Sequence, residues 1–101
     1  MSVLVTAKIN GDVAVFRKSL VDRAGELEKF AELGRESGAI HHRFGVGDGY
    51  VLVIDEWESA EQFEKFFGDP DMQAFVGSMG GDTSVPPEIT VAEAISSVDE
   101  F

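Results

Sequence analysis

The spacing of apolar residues changes along the chain, and each change marks an element. Val3, Val5, Ala7 and Ile9 alternate with mostly polar neighbours, which predicts a strand with one buried face. Asn10-Gly11-Asp12 is a turn, with Asp12 placed to cap the next helix. From Val13 to about Ser37 the period becomes three to four: Phe16, Leu20, Ala24, Leu27, Ala31 and Gly34 form a helical stripe widened by Phe30 and Leu33. Asp22-Arg23 and Gly25 mark a place where this stretch divides into two shorter helices, and Gly38 is a helix stop. Ile40 to Val46 and Tyr50 to Trp57 read as two strands joined at Gly47-Asp48-Gly49, a strong hairpin signal. The second of these, beginning Tyr-Val-Leu-Val-Ile, lacks alternation, which predicts burial on both faces. Ser59-Ala60-Glu61-Gln62 has the form of a capping box, and the helix behind it carries Phe63, Phe66 and Phe67 before ending near Gly68. Asp69-Pro70 opens a further short helix with Met72, Phe75, Val76 and Met79 on its apolar side. After a loop from Gly80 to Pro87, Ile89 to about Ile95 is a last strand, and 96–101 is a polar tail.

The order βαββαβ predicts an α+β fold: a ferredoxin-like, four-stranded antiparallel sheet with helices on one face, formed by the whole chain 1–101 as a single domain. Helices on one side leave the other face of the sheet to be covered, and a second subunit is the simplest cover. With 19 acidic and 8 basic residues the net charge is -11, which argues against nucleic acid and anionic membranes as partners. Cysteine is absent, so disulfides and thiolate chemistry are excluded. The beginning MSVLVTAKIN has no basic region followed by a long apolar one, so the expected location is cytoplasmic.

The hairpin holds the candidate chemistry. With Asp48-Gly49 as a two-residue turn, counting outward opposes Phe44 to Val53, His42 to Asp55 and Ile40 to Trp57 on the face assigned to the helices. His41, Arg43 and Glu56 fall on the other face, where an ion-pair cluster at a subunit interface is the simplest reading. A three-residue turn would slip the register and pair His41 with Asp55 instead. A histidine titrating near neutrality beside a carboxylate suits general-base work, and the alternative is a structural pair closing the hairpin. The two histidines point to opposite faces, so no metal site is expected. Trp57 suits a pocket wall or a stacking partner as well as a core position. Phe44, Phe63, Phe67 and Met72 describe either a core or an adaptable apolar pocket for a small apolar or aromatic molecule. Serines lack a nucleophile-elbow context, and Gly45-x-Gly47-x-Gly49 is the hairpin turn and does not open a helix as a phosphate loop would.

From Val3 to about Ala94 the chain resembles the dimeric α+β barrel superfamily. Asp55-Glu56-Trp57-Glu58-Ser59, the helix Ala60 to Phe67 and Asp69-Pro70-Asp71-Met72 are similar to its antibiotic-biosynthesis-monooxygenase-like group. The resemblance implies a homodimer whose sheets pack face to face, each subunit with a pocket between sheet and helices. Known activities on this fold include cofactor-independent oxygenation of polyphenols, haem degradation and lactone isomerisation. The haem branch uses a strand-one Asn, a strand-three Trp and a later helical His; Trp57 matches, but no histidine follows His42, and no cofactor is expected. The resemblance therefore implies a cofactor-independent monooxygenase acting on an aromatic or polyketide-like substrate, with Trp57 stacking it, His42 taking a phenolic proton and Asp55 orienting His42. The alternatives are a non-catalytic ligand-binding or structural dimer and a non-oxidative isomerase or cyclase.

Overall fold

The computed structural model describes residues 2–101 and has eight elements in the order β1 (Val3–Asn10), α1 (Val13–Asp22), α2 (Ala24–Ser37), β2 (Ala39–Gly47), β3 (Tyr50–Trp57), α3 (Ala60–Phe67), α4 (Pro70–Ser78) and β4 (Glu88–Glu93). The strands form one antiparallel sheet in the order β2-β3-β1-β4, so the ferredoxin-like expectation holds. Val5, Ala7 and Ile9 of β1 and Val51, Val53, Asp55 and Trp57 of β3 face the helices and are buried.

The helix boundaries follow local chemistry. The Asp12 carboxylate accepts from the backbone N–H groups of Ala14 and Val15, and Asp69 does the same for Asp71 and Met72 with Pro70 at the first helical position. Ser59 accepts from the Gln62 N–H as expected, but its hydroxyl donates to Gln62 Oε1, so the Gln62 amide does not close the reciprocal half of the box. The long helical stretch does divide, at Arg23. Its guanidinium donates to Glu26 and lies 4.6 Å from the centroid of the Phe75 ring, fastening the junction to α4. That hydrogen bond from Arg23 holds the Glu26 carboxyl below its ordinary range.

The hairpin register confirms the two-residue turn: Gly47 opposes Tyr50, Phe44 opposes Val53, His42 opposes Asp55 and His41 opposes Glu56. Gly49 takes φ 79°, which the turn demands. One expected pair is wrong. The register shifts between Ala39 and His41, so Ala39 and not Ile40 stands opposite Trp57, and Ile40 is exposed. On β3, Ile54 is 48% exposed on the helix-free side, the face expected to be covered by a second subunit. β4 begins at Glu88 and ends at Glu93, short of Ile95. The helical layer stops short of it: Ile89 and Val91 oppose Ala7 and Val5 on the helix side, yet both are exposed.

At the C-terminus of α2, Gly38 takes φ 119°, and a Cβ there would stand 2.5 Å from Gln62 Nε2. Gly38→Ala therefore strains the backbone and pushes the Gln62 amide aside. It should lower the unfolding free energy by about 1–2 kcal/mol, read by urea denaturation followed by circular dichroism.

Candidate active site

Period-two alternation along β3 places Asp55 and Trp57 on the same face, two residues apart, and the cross-strand register adds His42. The side chains then meet. Trp57 Nε1 donates to Asp55 Oδ2 at 3.0 Å, and His42 Nδ1 lies 2.7 Å from Asp55 Oδ1. Asp55 is only 8% exposed and Trp57 only 2%, whereas the His42 side chain is 43% exposed. Both carboxylate oxygens are thus engaged, and the burial of Asp55 is matched by two donors. A carboxylate accepts, so the ring proton of neutral His42 sits on Nδ1 and the Nε2 lone pair is left free. Phe44 braces the imidazole edge to face, with ring centroids 4.6 Å apart.

These groups border a cavity of about 700 Å³ between the sheet and the helices. Such a volume suits a small organic molecule. Every residue expected in a pocket lines it: His42, Phe44, Asp55, Trp57, Phe63, Phe67 and Met72. One end is aromatic. Phe63 and Phe66 flank Trp57 with centroids 5.8 and 5.3 Å away, and Phe67 stacks on Phe63 at 5.4 Å. Phe63, Phe66 and Met79 border the space without filling it. Phe16, Leu27 and Phe30 complete the apolar wall. The helical stripe showed that these last three residues face inward, but not that they face a void. Exposed Glu28 and Arg35 of α2 mark the mouth, and the edge strand β2 borders it at Ile40, His41 and Arg43, the last two of which share the helix-free face with Glu56 and Ile54. Arg35 carried no signal in the sequence beyond its place in the last turn of α2.

His41 belongs elsewhere. Its Nε2 stands 4.0 Å from Glu56 Oε1 on the helix-free face, where Ser2 Oγ donates to Glu56 Oε2 at 2.5 Å. Within one subunit Arg43 joins no ion pair there among the described residues, and of the three residues expected at a subunit interface His41 and Glu56 approach each other.

Asp55 bears most of the structural consequence of the site. Asp55→Ala leaves the buried Trp57 N–H without an acceptor and should cost about 1–3 kcal/mol of stability. His42→Ala, at a half-open position, should cost less than half as much in the same denaturation experiment.

No protein-family model matches the chain, and no curated protein matches it by sequence. Solved structures do match. SnoaB, a cofactor-independent oxygenase from Streptomyces nogalater, superposes with a TM-score of 0.64 at 13% identity, covering 98% of both chains. A monooxygenase from the gene ActVA-Orf6 of Streptomyces coelicolor, solved with nanaomycin D, gives 0.68 at 18% identity over 99% of this chain and 93% of the other. A dimeric ferredoxin-like protein from an uncultured marine organism gives 0.63 at 14% identity over 99% and 93%. The chain therefore has, over nearly its whole length, the ferredoxin-like fold on which these antibiotic-biosynthesis-type monooxygenases are built.

Proposed function

We propose that the protein is a homodimeric, cofactor-independent monooxygenase whose cavity takes a flat aromatic or polyketide-like molecule. The observation that carries this reading is the free Nε2 of His42, fixed at the edge of an aromatic cavity by the bond from Nδ1 to Asp55. Likeness of fold to cofactor-independent oxygenases raises the reading above a generic ligand-binding one.

In the proposed reaction a phenolic substrate lies against Trp57, Phe63 and Phe67, with Phe44 and Met72 holding its flanks. Nε2 of His42 takes the phenolic proton, and Asp55 stabilises the imidazolium that forms. The phenolate delocalises its charge onto a ring carbon. That carbanion reduces dioxygen, the new C–O bond gives a hydroperoxide, and loss of water leaves a quinone. A phenol and one dioxygen thus become a quinone and one water: the substrate supplies the electrons, the imidazolium protonates the peroxide, and the ring C–H proton leaves with hydroxide as water. His42→Ala should lower the oxygen-uptake rate with a reactive polyphenol by about 100-fold or more. An unchanged rate would overturn the base assignment. Product formation through His42 without oxygen uptake would point to the isomerase reading instead.

The dimer is supported by the helix-free face of the sheet. Leu4 is 49% exposed there and lies across the sheet from Glu56 and Ala92, near exposed Ile54 and half-buried Leu52. A patch of this kind on a sheet favours a matching surface, and a two-fold pairing of identical faces provides one. Light scattering after gel filtration should give twice the chain mass of 10.9 kDa, and Ile54→Glu should return it to that of one chain.

A further inference from the structure

We infer that the ligand is a phenol carrying a flexible apolar chain, with its ring at the Trp57 end of the cavity and its chain in a longer arm that runs from His42 to Val51. This rests on the cavity being the ligand site proposed above. Every helix-side residue of β3 lines the space: Val51, Val53, Asp55 and Trp57. At about 3.4 Å per residue, that wall is about 20 Å long. The facing wall runs the same way. Gly34 of α2 lies against Ala39 and Phe66 at the Trp57 end, and Leu27 packs on the cluster of Phe16 and Val51 at the other. Those seven residues of helix cover about 10 Å. His42, level with Asp55, divides the length unequally. Trp57 is about 7 Å along the strand to one side of it, and Val51 about 14 Å to the other.

The two arms differ in kind. Around Trp57 the walls are rings, those of Phe63, Phe66 and Phe67. Toward Val51 they include the aliphatic side chains of Ile9, Leu27, Val53 and Met79. There Phe16, from the helices, meets Phe44, from the sheet, edge to face with centroids 5.0 Å apart, so the longer arm is narrowed where helix and sheet side chains touch. A chain of methylenes passes such a narrowing, and a fused ring system does not. The far end offers a chain nothing polar to meet. Asp12 is committed to capping α1, and Glu28 stands exposed at the mouth. The rest of that end is the backbone of Gly11, Gly80 and Gly81, fastened by the bridge between Gly11 and Gly81 and by the Asp12 N–H donating to Gly80 O. A polar group placed there loses its water without gaining a partner, whereas each buried methylene adds to binding. The hydroxyl of the ligand is thus read by His42, and its chain is read for length and for the lack of a polar end.

Titration with 3-propylphenol, 3-pentylphenol and 3-heptylphenol, followed by nuclear magnetic resonance, tests this. Affinity should rise about threefold for each added methylene. A compound with the length of the heptyl phenol but a hydroxyl at the chain end, 3-(6-hydroxyhexyl)phenol, should bind no tighter than 3-pentylphenol. Val51→Phe puts a ring into the longer arm, so it should abolish the gain with chain length while 3-propylphenol still binds. Overhauser contacts from the chain-end methyl group to Val51 and Met79 in the unaltered protein read the same placement where that variant fails to fold. Equal affinities along the series, a gain that survives Val51→Phe, or chain-end contacts to the mouth instead of to Val51 and Met79 overturn the inference while leaving the aromatic cavity standing. If none of the phenols binds, the ligand-site reading falls and this inference with it.

Discussion

A carboxylate in an apolar wall must be satisfied or discharged, and the arrangement around Asp55 meets that need. It lies buried between Val53 and Trp57 on β3 and meets one donor from its own strand and one from the neighbouring strand. The strand donor is available because alternation returns Trp57 to the same face. The neighbouring donor is available because the turn at Asp48-Gly49 sets a register that brings His42 level with Asp55. Shift that register by one residue and His42 passes to the other side of the sheet, with His41 or Arg43 brought level with Asp55 in its place. Turn geometry, burial and candidate chemistry are thus one constraint seen at three scales.

The sequence made this part of the molecule legible because its signals are local. Asp-Gly fixes the turn, a period of two fixes the faces, and counting does the rest. Local signals ended where the chain departs from regular pairing. The bulge beside Ile40 leaves no trace in composition, so the last expected pair of the hairpin failed while the inner pairs held. The helices were visible as stripes with caps, but a stripe gives only the buried side of a helix. It does not say whether that side meets another side chain or open space, nor which polar residue at its rim looks across to β2. Arg35 was therefore invisible as a mouth residue until α2 was placed against the sheet.

The cavity itself is a packing outcome. Protein interiors close to high density, and unfilled apolar volume costs stability. Here the buried residues fall into three clusters, one around Phe16 and Phe75, one around Trp57 and Phe63, and one along Ala7, Ile9 and Val53. Rings set edge to face or stacked, each with few rotamers, line this space: Phe16 against Phe44, Trp57 against Phe63, and Phe63 against Phe67. Flexible Met72 and Met79 on or beside α4 allow the lining to adjust to what enters.

Trp57 is the only tryptophan in the chain, and it stands in the wall of that cavity with its N–H on Asp55. Its ultraviolet emission therefore comes from a single place. A conjugated molecule seated against the indole would quench that emission by energy transfer, and a change at Asp55 would alter its colour through the lost hydrogen bond. The protein carries a built-in optical gauge of its own occupancy, so a library of aromatic compounds can be ranked against it with neither a label nor a turnover assay.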